Sequence, residues 1–172
     1  HQAGRLRGTT DCAEAIGQTE VSLVCVGTPS SASGALDLSY VRQVIAGMAR
    51  AIADKRARHR IVLRSTMLPG STLGLVKEFL HDLMEVGMVE VFYFPEFLRE
   101  GTAVRDFEHP ALTVVGTADG LAPSEEMSPL FGANPCVVGW NEAELVKYGC
   151  NTFHALKLTF ANEIGRLSRA LG

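Results

Sequence analysis

The sequence predicts an α/β protein in which a parallel sheet is followed by one long helix. Short runs rich in β-branched residues alternate with segments of helical periodicity, which is the pattern of parallel α/β sheets. The run Val21–Val26 is apolar throughout, as expected for a strand that is buried on both faces. A helical pattern then occupies the end of the chain, from about Glu142 to Leu171.

The first half of the chain continues from this strand into a glycine- and serine-rich loop, Gly27–Gly34. A helix is predicted over Ser39–Asp54, because Asp37 or Ser39 can accept hydrogen bonds from the first backbone N–H groups of that segment. The short apolar run Ile61–Leu63 predicts the second strand.

The middle of the chain repeats the alternation of helix and strand. Pro69–Ser71 opens a predicted helix over about Thr72–Glu85, since proline is favoured in the first turn of helices. The β-branched and aromatic run Val89–Phe94 predicts the third strand. After the loop Pro95–Gly101, the run Ala111–Val115 predicts the fourth strand.

The last part of the chain holds a short predicted helix near Pro123–Leu130 and a strand at Cys136–Val138, ahead of the long helix. Asn141 is expected to cap the long helix. Glu142 and Glu144 fall in its first turn, where acidic side chains complement the positive end of the helix dipole.

Composition and charge exclude several classes of protein. Hydrophobic residues make up 47% and charged residues 20% of the 172 positions, which is ordinary for a globular protein. The net charge is −3, and the one dense basic stretch, Asp54–Arg60, lies where a helix should end, so nucleic-acid binding is not predicted. No apolar stretch reaches the roughly 18 residues of a membrane helix, and the polar start, His1–Arg7, does not resemble a signal peptide.

The cysteines and histidines show no metal-site pattern. Cys25 lies in a predicted strand and Cys150 on the predicted long helix, so both are expected to be buried as small apolar side chains. Unpaired thiols suit a reducing compartment, and we therefore expect a cytoplasmic protein. The five histidines are scattered without ligand spacing, so no metal is predicted. The sequence also lacks the G-x-S-x-G motif of serine hydrolases.

Three polar loops each follow a predicted strand and are expected to meet at one edge of the sheet. They contain Thr28 and Pro29, Ser65 and Thr66, and Pro95–Glu100. Because ligands in open α/β sheets bind beyond the carboxyl ends of the strands, this edge is the predicted ligand site. Taken singly, each loop is equally well explained as a polar turn, and the sequence leaves the acid–base roles of its carboxylates open.

A second polar feature lies on the long helix. Lys147, Asn151 and His154 recur at positions i, i+4 and i+7 and therefore share one face. A cation, an amide and an imidazole can hold an anionic or hydroxyl-rich ligand, or stabilise negative charge on an oxygen. The alternative is the solvated side of an amphipathic helix. The three loops upstream favour a binding site.

Four segments of the chain resemble those of the nucleotide-sugar 6-dehydrogenases. These segments are Val24–Ser30, Arg64–Ser71, Pro95–Ala103 and Lys147–Asn151, and they stand in family order. The family comprises the UDP-glucose and GDP-mannose dehydrogenases, which oxidise a sugar C6 alcohol to a carboxylate with NAD. The segments His154–Lys157 and Phe160–Gly165 are more similar to the GDP-mannose branch.

The resemblance implies an incomplete Rossmann-like parallel sheet followed by a long central helix. Residues 1–138 would be the second half of the NAD-binding domain, beginning near its third strand at Arg5–Asp11, and residues 139–172 the start of a helical dimerisation domain. Family members open with a G-x-G-x-x-G loop that receives the NAD pyrophosphate, and no such motif occurs here. None of the four cysteines matches the family's catalytic cysteine. A truncated chain that cannot complete turnover alone is therefore expected.

The resemblance also implies roles for individual residues. NAD would be bound by Thr28, Pro29, Ser65, Thr66 and Glu100. The nucleotide sugar, GDP-mannose or UDP-glucose, would be bound by Glu96, Phe97, Leu98, Lys147, Asn151 and His154. Lys147 and Asn151 would stabilise the oxyanion that precedes hydride transfer. Thr66 would stand near the reacting water, and Glu96 would assist hydrolysis of the covalent intermediate.

Two apolar surfaces are expected to need a partner. With its neighbouring strands absent, Val21–Val26 would form an exposed sheet edge. The long helix carries an apolar arc formed by Val146, Phe153, Leu156, Phe160, Ile164 and Leu167. We therefore expect a homodimer joined through the helix, the strand edge or both. Three functions remain open, namely part of an enzyme, a non-catalytic module that binds nucleotides or nucleotide sugars, and an oligomerisation unit.

Overall fold

A computed structural model describes Gly4 and residues 6–172. The strands of its single sheet are β1 (Val21–Val24), β2 (His59–Leu63), β3 (Val89–Tyr93), β4 (Val114–Thr117) and β5 (Cys136–Gly139). The helices are α1 (Cys12–Gly17), α2 (Ser39–Lys55), α3 (Ser71–Leu75), α4 (His81–Glu85), α5 (Ala103–Glu108), α6 (Ser128–Phe131) and α7 (Trp140–Leu171). A π-helical segment, Val76–Leu80, joins α3 to α4.

The strands are ordered β1-β2-β3-β4-β5 across the sheet. β1, β2 and β3 are parallel, β4 pairs antiparallel with β3 through Tyr93 and Gly116, and β5 is parallel to β4. The predicted α/β class and mostly parallel sheet are confirmed, and the antiparallel junction is the departure. The segment between β3 and β4 does not cross back to the start of β3. β4 therefore begins at the end of the sheet where β3 finishes and runs in the opposite direction.

The predicted strand edge is present on the outer side of β1. β1 forms one margin of the described sheet, and Leu23 is 48% exposed there. On the inner side, β1 packs with α2 through buried residues such as Val24 and Ile45. An apolar side chain on an open strand edge is an association hazard.

Several element boundaries differ from the predictions. β4 begins at Val114 rather than Ala111, because Pro110 and the next three residues lie outside the strand, and it continues to Thr117. The helix predicted near Pro123–Leu130 is confined to the four residues of α6. The short helices α1 and α5 were not predicted, although Asp11 caps α1 by accepting hydrogen bonds from the backbone of the first turn.

The predicted helix caps were partly wrong. α7 starts at Trp140 with Gly139 as its N-cap, and Asn141 lies inside the first turn. A Cβ atom on Gly139 would lie 2.5 Å from the Glu142 carboxylate, so Glu142 occupies the space beside this residue. At α2 the N-cap is Leu38, and the Asp37 carboxylate instead accepts a hydrogen bond from the Ser39 N–H group.

The expected burial of two cysteines is wrong. Cys25 and Cys150 are both exposed, as are Cys12 and Cys136. β1 ends at Val24, so Cys25 belongs to the loop that follows. Cys150 lies on the part of α7 that extends past the sheet, where all but one residue beyond Lys147 is exposed.

The sequence predicted neither a membrane-spanning helix nor a metal site, and the structure bears on both points for the described residues. None of the helices within Gly4 and residues 6–172 is long and apolar enough to cross a membrane. Within the same residues, no three His, Cys, Asp or Glu side chains are grouped as a metal site. The predictions made for the start of the chain, at His1–Arg7 and for a third strand at Arg5–Asp11, fall partly outside the described residues. Residues 6–11 form no strand.

At Gly116 the sheet packs closely against α7. An added Cβ atom would lie 2.9 Å from the Ala143 Cβ, 3.1 Å from the Trp140 Cα and 3.2 Å from the Tyr93 Cβ. We expect Gly116→Ala to lower the free energy of unfolding by about 2–3 kcal/mol, because overpacking here must displace the helix backbone. Gly74→Ala is the control, since a Cβ atom on that helical residue would contact nothing. Urea unfolding of both variants would measure this, and equal stabilities would contradict the close packing.

Candidate active site

The loops after β1 and β2 are tied together at the carboxyl edge of the sheet. The Thr28 hydroxyl donates to the carbonyl oxygen of Thr66 at 2.9 Å. The Ser65 hydroxyl donates to the carbonyl oxygen of Val26 at 2.7 Å. Because both hydrogen bonds are part-buried and cross between loops, they fix the spacing of the two loops.

A cavity of about 370 Å³ opens where these loops meet the loop after β3. It is lined by Cys25, Val26, Gly27, Thr28, Arg64, Ser65, Thr66, Glu96 and Leu98. Thus five of the predicted site residues line one cavity. Pro29 and Glu100 do not line it: the Pro29 carbonyl accepts a hydrogen bond from Asp37, and Glu100 is exposed in the bend before α5.

Lys147 reaches this edge of the sheet from α7. Its side chain is only 4% exposed, and its ammonium donates to the backbone carbonyl of Glu96 and, at 3.1 Å, to Oε1 of the Glu96 carboxylate. The same nitrogen lies 5.2 Å from the centre of the Phe97 ring. One buried cation therefore holds both the backbone and the side chain of the loop after β3.

The Glu96 carboxylate is stabilised in its ionised form. Burial raises the pKa of Glu96, but the Leu98 N–H group, which donates at 2.7 Å, and the Lys147 ammonium outweigh this effect, and the net pKa is lowered. Arg64 adds a smaller electrostatic contribution that lowers the pKa further. Glu96 is therefore a charged acceptor at neutral pH, suited to orienting a water or accepting a proton.

Asn151 and His154 are not brought to the cavity. Both follow Lys147 on one helix face, as predicted, but both are exposed. The reason is that α7 leaves the sheet after Lys147 and extends beyond the rest of the described residues. Of the predicted row, only the lysine contacts the loops.

Glu144 is a site residue that the sequence interpretation missed. It was assigned to the first turn of α7 as an acidic side chain that complements the helix dipole, and it is fully buried. Its carboxylate accepts from the N–H group of Gly70 at 2.7 Å and from the N–H and hydroxyl groups of Thr72 at 2.7 and 2.6 Å. Burial raises the pKa of Glu144, and the bonds from Thr72 and Gly70 limit that rise. Its position three residues before Lys147, on the same helix face, was the feature of the sequence that could have indicated its burial.

Arg64 was also missed as a site residue. Its guanidinium carbon lies 4.5 Å from the centre of the Phe94 ring, at the end of β2. Arg64 lines the first cavity and also a second cavity of about 500 Å³, which opens beside the loop after β3. Glu96 and Leu98 likewise line both cavities, so this loop separates them.

The sequence matches the family model described as the NAD binding domain of the UDP-glucose/GDP-mannose dehydrogenase family, over residues 1–132. The chain belongs to this family. The predicted family resemblance is therefore confirmed. NAD is the cofactor for which the family's domain is named.

Two curated members of the family are 42% and 36% identical in sequence to this chain. The GDP-mannose 6-dehydrogenase of Azotobacter vinelandii is 42% identical over 177 residues, which cover 99% of this chain and 40% of the relative. The UDP-glucose 6-dehydrogenase of Rhizobium meliloti is 36% identical over 178 residues, which cover 99% of this chain and 40% of that protein. The chain thus spans about 40% of the length of the curated relatives it matches.

Solved structures of the family have the same fold. The GDP-mannose dehydrogenase of Pseudomonas aeruginosa, solved as a ternary complex, matches with a TM-score of 0.83 at 40% identity and covers 99% of this chain and 40% of that one. The UDP-glucose dehydrogenase of Pyrobaculum islandicum also matches with a TM-score of 0.83, at 38% identity, and covers 95% of this chain and 38% of that one. These matches confirm the Rossmann-like sheet that ends in a long helix.

The residues at the first cavity fit one end of a dinucleotide cofactor. Small-molecule sites occupy about 300–1,000 Å³, and the volume of about 370 Å³ lies at the low end of that range. The backbone of Gly27 allows close approach, and the side chains of Thr28 and Thr66 offer hydrogen-bonding groups. The carboxyl edge of the parallel strands is also where dinucleotides bind in this class of fold.

Proposed function

We propose that this chain supplies part of the active site of an NAD-dependent nucleotide-sugar 6-dehydrogenase of the GDP-mannose type. The observation that supports this most is the contact of the buried Lys147 ammonium with Glu96, a half-buried residue that lines the cavity where Thr28 meets Thr66. A desolvated ammonium next to a ligand cavity suits the stabilisation of an oxyanion. The 42% identity to a GDP-mannose 6-dehydrogenase supports that sugar nucleotide as the substrate.

Lys147 retains one donor for a substrate oxygen. An ammonium carries three N–H groups, and two of them are directed at the carbonyl and carboxylate oxygens of Glu96. The third would donate to the sugar C6 oxygen as its proton leaves. Asn151 lies one turn further along the same face and would add an amide donor to that oxygen.

The remaining predicted residues have supporting roles in this proposal. NAD, when bound, accepts the hydride. Its binding would involve Thr28, Pro29, Ser65, Thr66 and Glu100. The nucleotide sugar would contact Phe97, Leu98 and His154. Glu96 would orient the water that hydrolyses the covalent intermediate, because its lowered pKa keeps it an acceptor, and Thr66 would hold that water on the opposite side of the cavity.

We further propose that the chain does not complete turnover alone. The family resemblance places the second oxidation on a cysteine thioester, and none of the four cysteines here matches that cysteine. Residues 1–138 would act as a partial cofactor domain, and residues 139–172 as the start of a helical dimerisation domain. The four unpaired cysteines fit a reducing cytoplasm as the location. NADH formation from GDP-mannose by the pure chain would contradict this.

Calorimetric titration tests the proposed function directly. The purified chain is titrated with GDP-mannose, and NAD and UDP-glucose are injected in parallel experiments. We expect saturable binding of GDP-mannose that is tighter than binding of UDP-glucose. An absence of heat with all three ligands, for a chain that remains folded by circular dichroism, would contradict the proposal.

A second function, oligomerisation, is supported by the exposed apolar face of α7. Phe153, Leu156, Phe160 and Leu167 are 60%, 63%, 66% and 59% exposed, and Val146 and Ile164 lie on the same arc. An unpartnered apolar stripe of this length on a helix is characteristic of an interface. We propose a homodimer joined through this face, with the open edge of β1 as a further contact.

Replacing Phe160 with aspartate tests the dimer. The variant should be monomeric, or should aggregate, at a concentration where the unaltered chain is dimeric, because a charge would be buried at the interface. Light scattering after size exclusion measures the mass. Leu158→Asp is the matched control, since Leu158 is 55% exposed but lies on the opposite side of α7. A dimer that persists in Phe160→Asp would contradict the helix interface.

A further inference from the structure

Arg64 and Phe94 form a cation–π pair at the wall between the two cavities. The guanidinium carbon lies 4.5 Å from the ring centre, and Phe94 is fixed in turn by an edge-on contact with Phe131, whose ring centre is 5.1 Å away. Phe131 is 1% exposed and also packs against Phe92 at 5.2 Å. The ring beneath the guanidinium is therefore held by the core of the sheet.

The Arg64 guanidinium has no carboxylate partner within ion-pair distance among the described residues. The acidic side chains around it are committed elsewhere or solvated. Glu96 is paired with Lys147, and Asp106 accepts from the Arg99 guanidinium at 2.7 Å. Glu108, which lines the second cavity, is exposed, so water screens its charge. Arg64 is therefore a cation that lines both cavities and that no carboxylate of the described residues contacts at ion-pair distance.

The geometry of this pair suits an anion. A guanidinium that stacks on a ring through its face keeps its in-plane N–H donors free, and these form bidentate bonds to phosphate or carboxylate oxygens. The second cavity, of about 500 Å³, has room for an organic body attached to that anion. Phe97, Phe107 and Leu112 line it and provide apolar surface for such a body.

We propose that Arg64, held on Phe94, is the binding residue for a phosphoryl group of a nucleotide ligand at the wall between the two cavities. The identity of that nucleotide rests on the proposed function, but the phosphate subsite itself does not. Phe94 supplies the aromatic surface of this pair. An amide at that position would offer no aromatic surface for Arg64 to stack on.

The subsite is tested by calorimetric titration of the chain with inorganic pyrophosphate. We expect Arg64→Gln to weaken pyrophosphate binding by about 10-fold or more, since a charged hydrogen-bonding pair contributes roughly 1.5–3 kcal/mol. Arg64→Lys should recover part of the loss, because it restores the charge without the planar donors. Phe94→Leu should weaken binding several-fold, because it keeps the apolar volume and removes the ring. Arg58→Gln, at a 53% exposed arginine, is the control and should bind as the unaltered chain does.

Two further titrations identify which nucleotide supplies the phosphate. GDP represents the diphosphate of a sugar nucleotide, and nicotinamide mononucleotide represents the phosphate of the cofactor half. The ligand that competes with pyrophosphate in an Arg64-dependent manner is the source. Equal pyrophosphate affinity in Arg64→Gln and the unaltered chain, or no pyrophosphate binding at all, would overturn the subsite. Arg64-dependent pyrophosphate binding without GDP-mannose or NAD binding would refute the proposed function and leave the subsite standing.

Discussion

Replacing Glu144 with alanine should lower the free energy of unfolding by about 3–5 kcal/mol. The substitution leaves the N–H groups of Gly70 and Thr72 and the Thr72 hydroxyl without their acceptor, and each unpaired buried polar group costs roughly 1–3 kcal/mol. The effect is not fully additive, because the Gly70 group is only part-buried. Urea unfolding followed by circular dichroism measures the difference.

Two further variants separate the role of the Glu144 carboxylate from that of its size. Glu144→Gln keeps the side-chain volume but places an amide NH₂ group near donors, so its loss of stability should be intermediate. Glu163→Ala is the matched control, because Glu163 lies on the same helix with only an exposed pair to Arg166, and should change stability by less than about 0.5 kcal/mol. A Glu144→Ala variant as stable as Glu163→Ala would show that the carboxylate does not hold the start of α3.

Replacing Lys147 with methionine should weaken GDP-mannose binding by about 10- to 100-fold. Hydrogen bonds to charged groups contribute roughly 1.5–3 kcal/mol, and the substitution removes the ammonium while keeping an apolar stem. The same calorimetric titration as for the unaltered chain measures the affinity. Lys157→Met is the matched control: Lys157 is also on α7 and stands 5.1 Å from a phenylalanine ring, that of Phe153, but it is exposed and, unlike Lys147, forms no bond to Glu96.

The Lys147 variant also makes a pH prediction through Glu96. In the folded chain the pKa of Glu96 is lowered, so this group contributes stability that is present above its ordinary value of 4.5 and is lost as pH falls through the folded pKa. Lys147→Met should raise the pKa of Glu96 and shrink this acid-sensitive contribution. Carbon NMR of the side-chain carboxyl measures the titration. An unchanged Glu96 titration in Lys147→Met would contradict the ion pair.

The α/β class was predictable because burial leaves a local signature. Val21–Val24 and Val89–Tyr93 are short runs dominated by β-branched and other apolar residues, and such runs are recognisable in the sequence. The late start and end of β4 were not predictable, since glycine, here Gly116, is depleted in strands and commonly ends them. Only the packing of α7 over the sheet shows why a residue without a side chain is needed there.

The candidate site was predictable in its loops and less so in its long-range contacts. Thr28, Ser65 and Thr66 follow strands, and the edge rule for parallel strands brought them together correctly. The contact of Lys147 with Glu96 spans 51 positions, and that of Glu144 with Thr72 spans 72. Helical periodicity places Lys147, Asn151 and His154 on one face but does not say where the helix leaves the sheet. Those contacts depend on tertiary packing.

Glu144 and Lys147 anchor the first part of α7 at the candidate site, and the rest of the helix extends away from this anchor point. One residue holds the start of α3 and the other holds the loop after β3, while the helix runs on from Lys147 to Leu171. At 1.5 Å per residue the part of α7 after Lys147 is about 36 Å long, so a tilt of about 5° at the anchor point displaces its end by roughly 3 Å. Conversely, we expect a partner that binds this part of α7 to act on the angle between the start of α3 and the loop after β3. We therefore expect contacts made far along α7 to affect the position of the loop after β3.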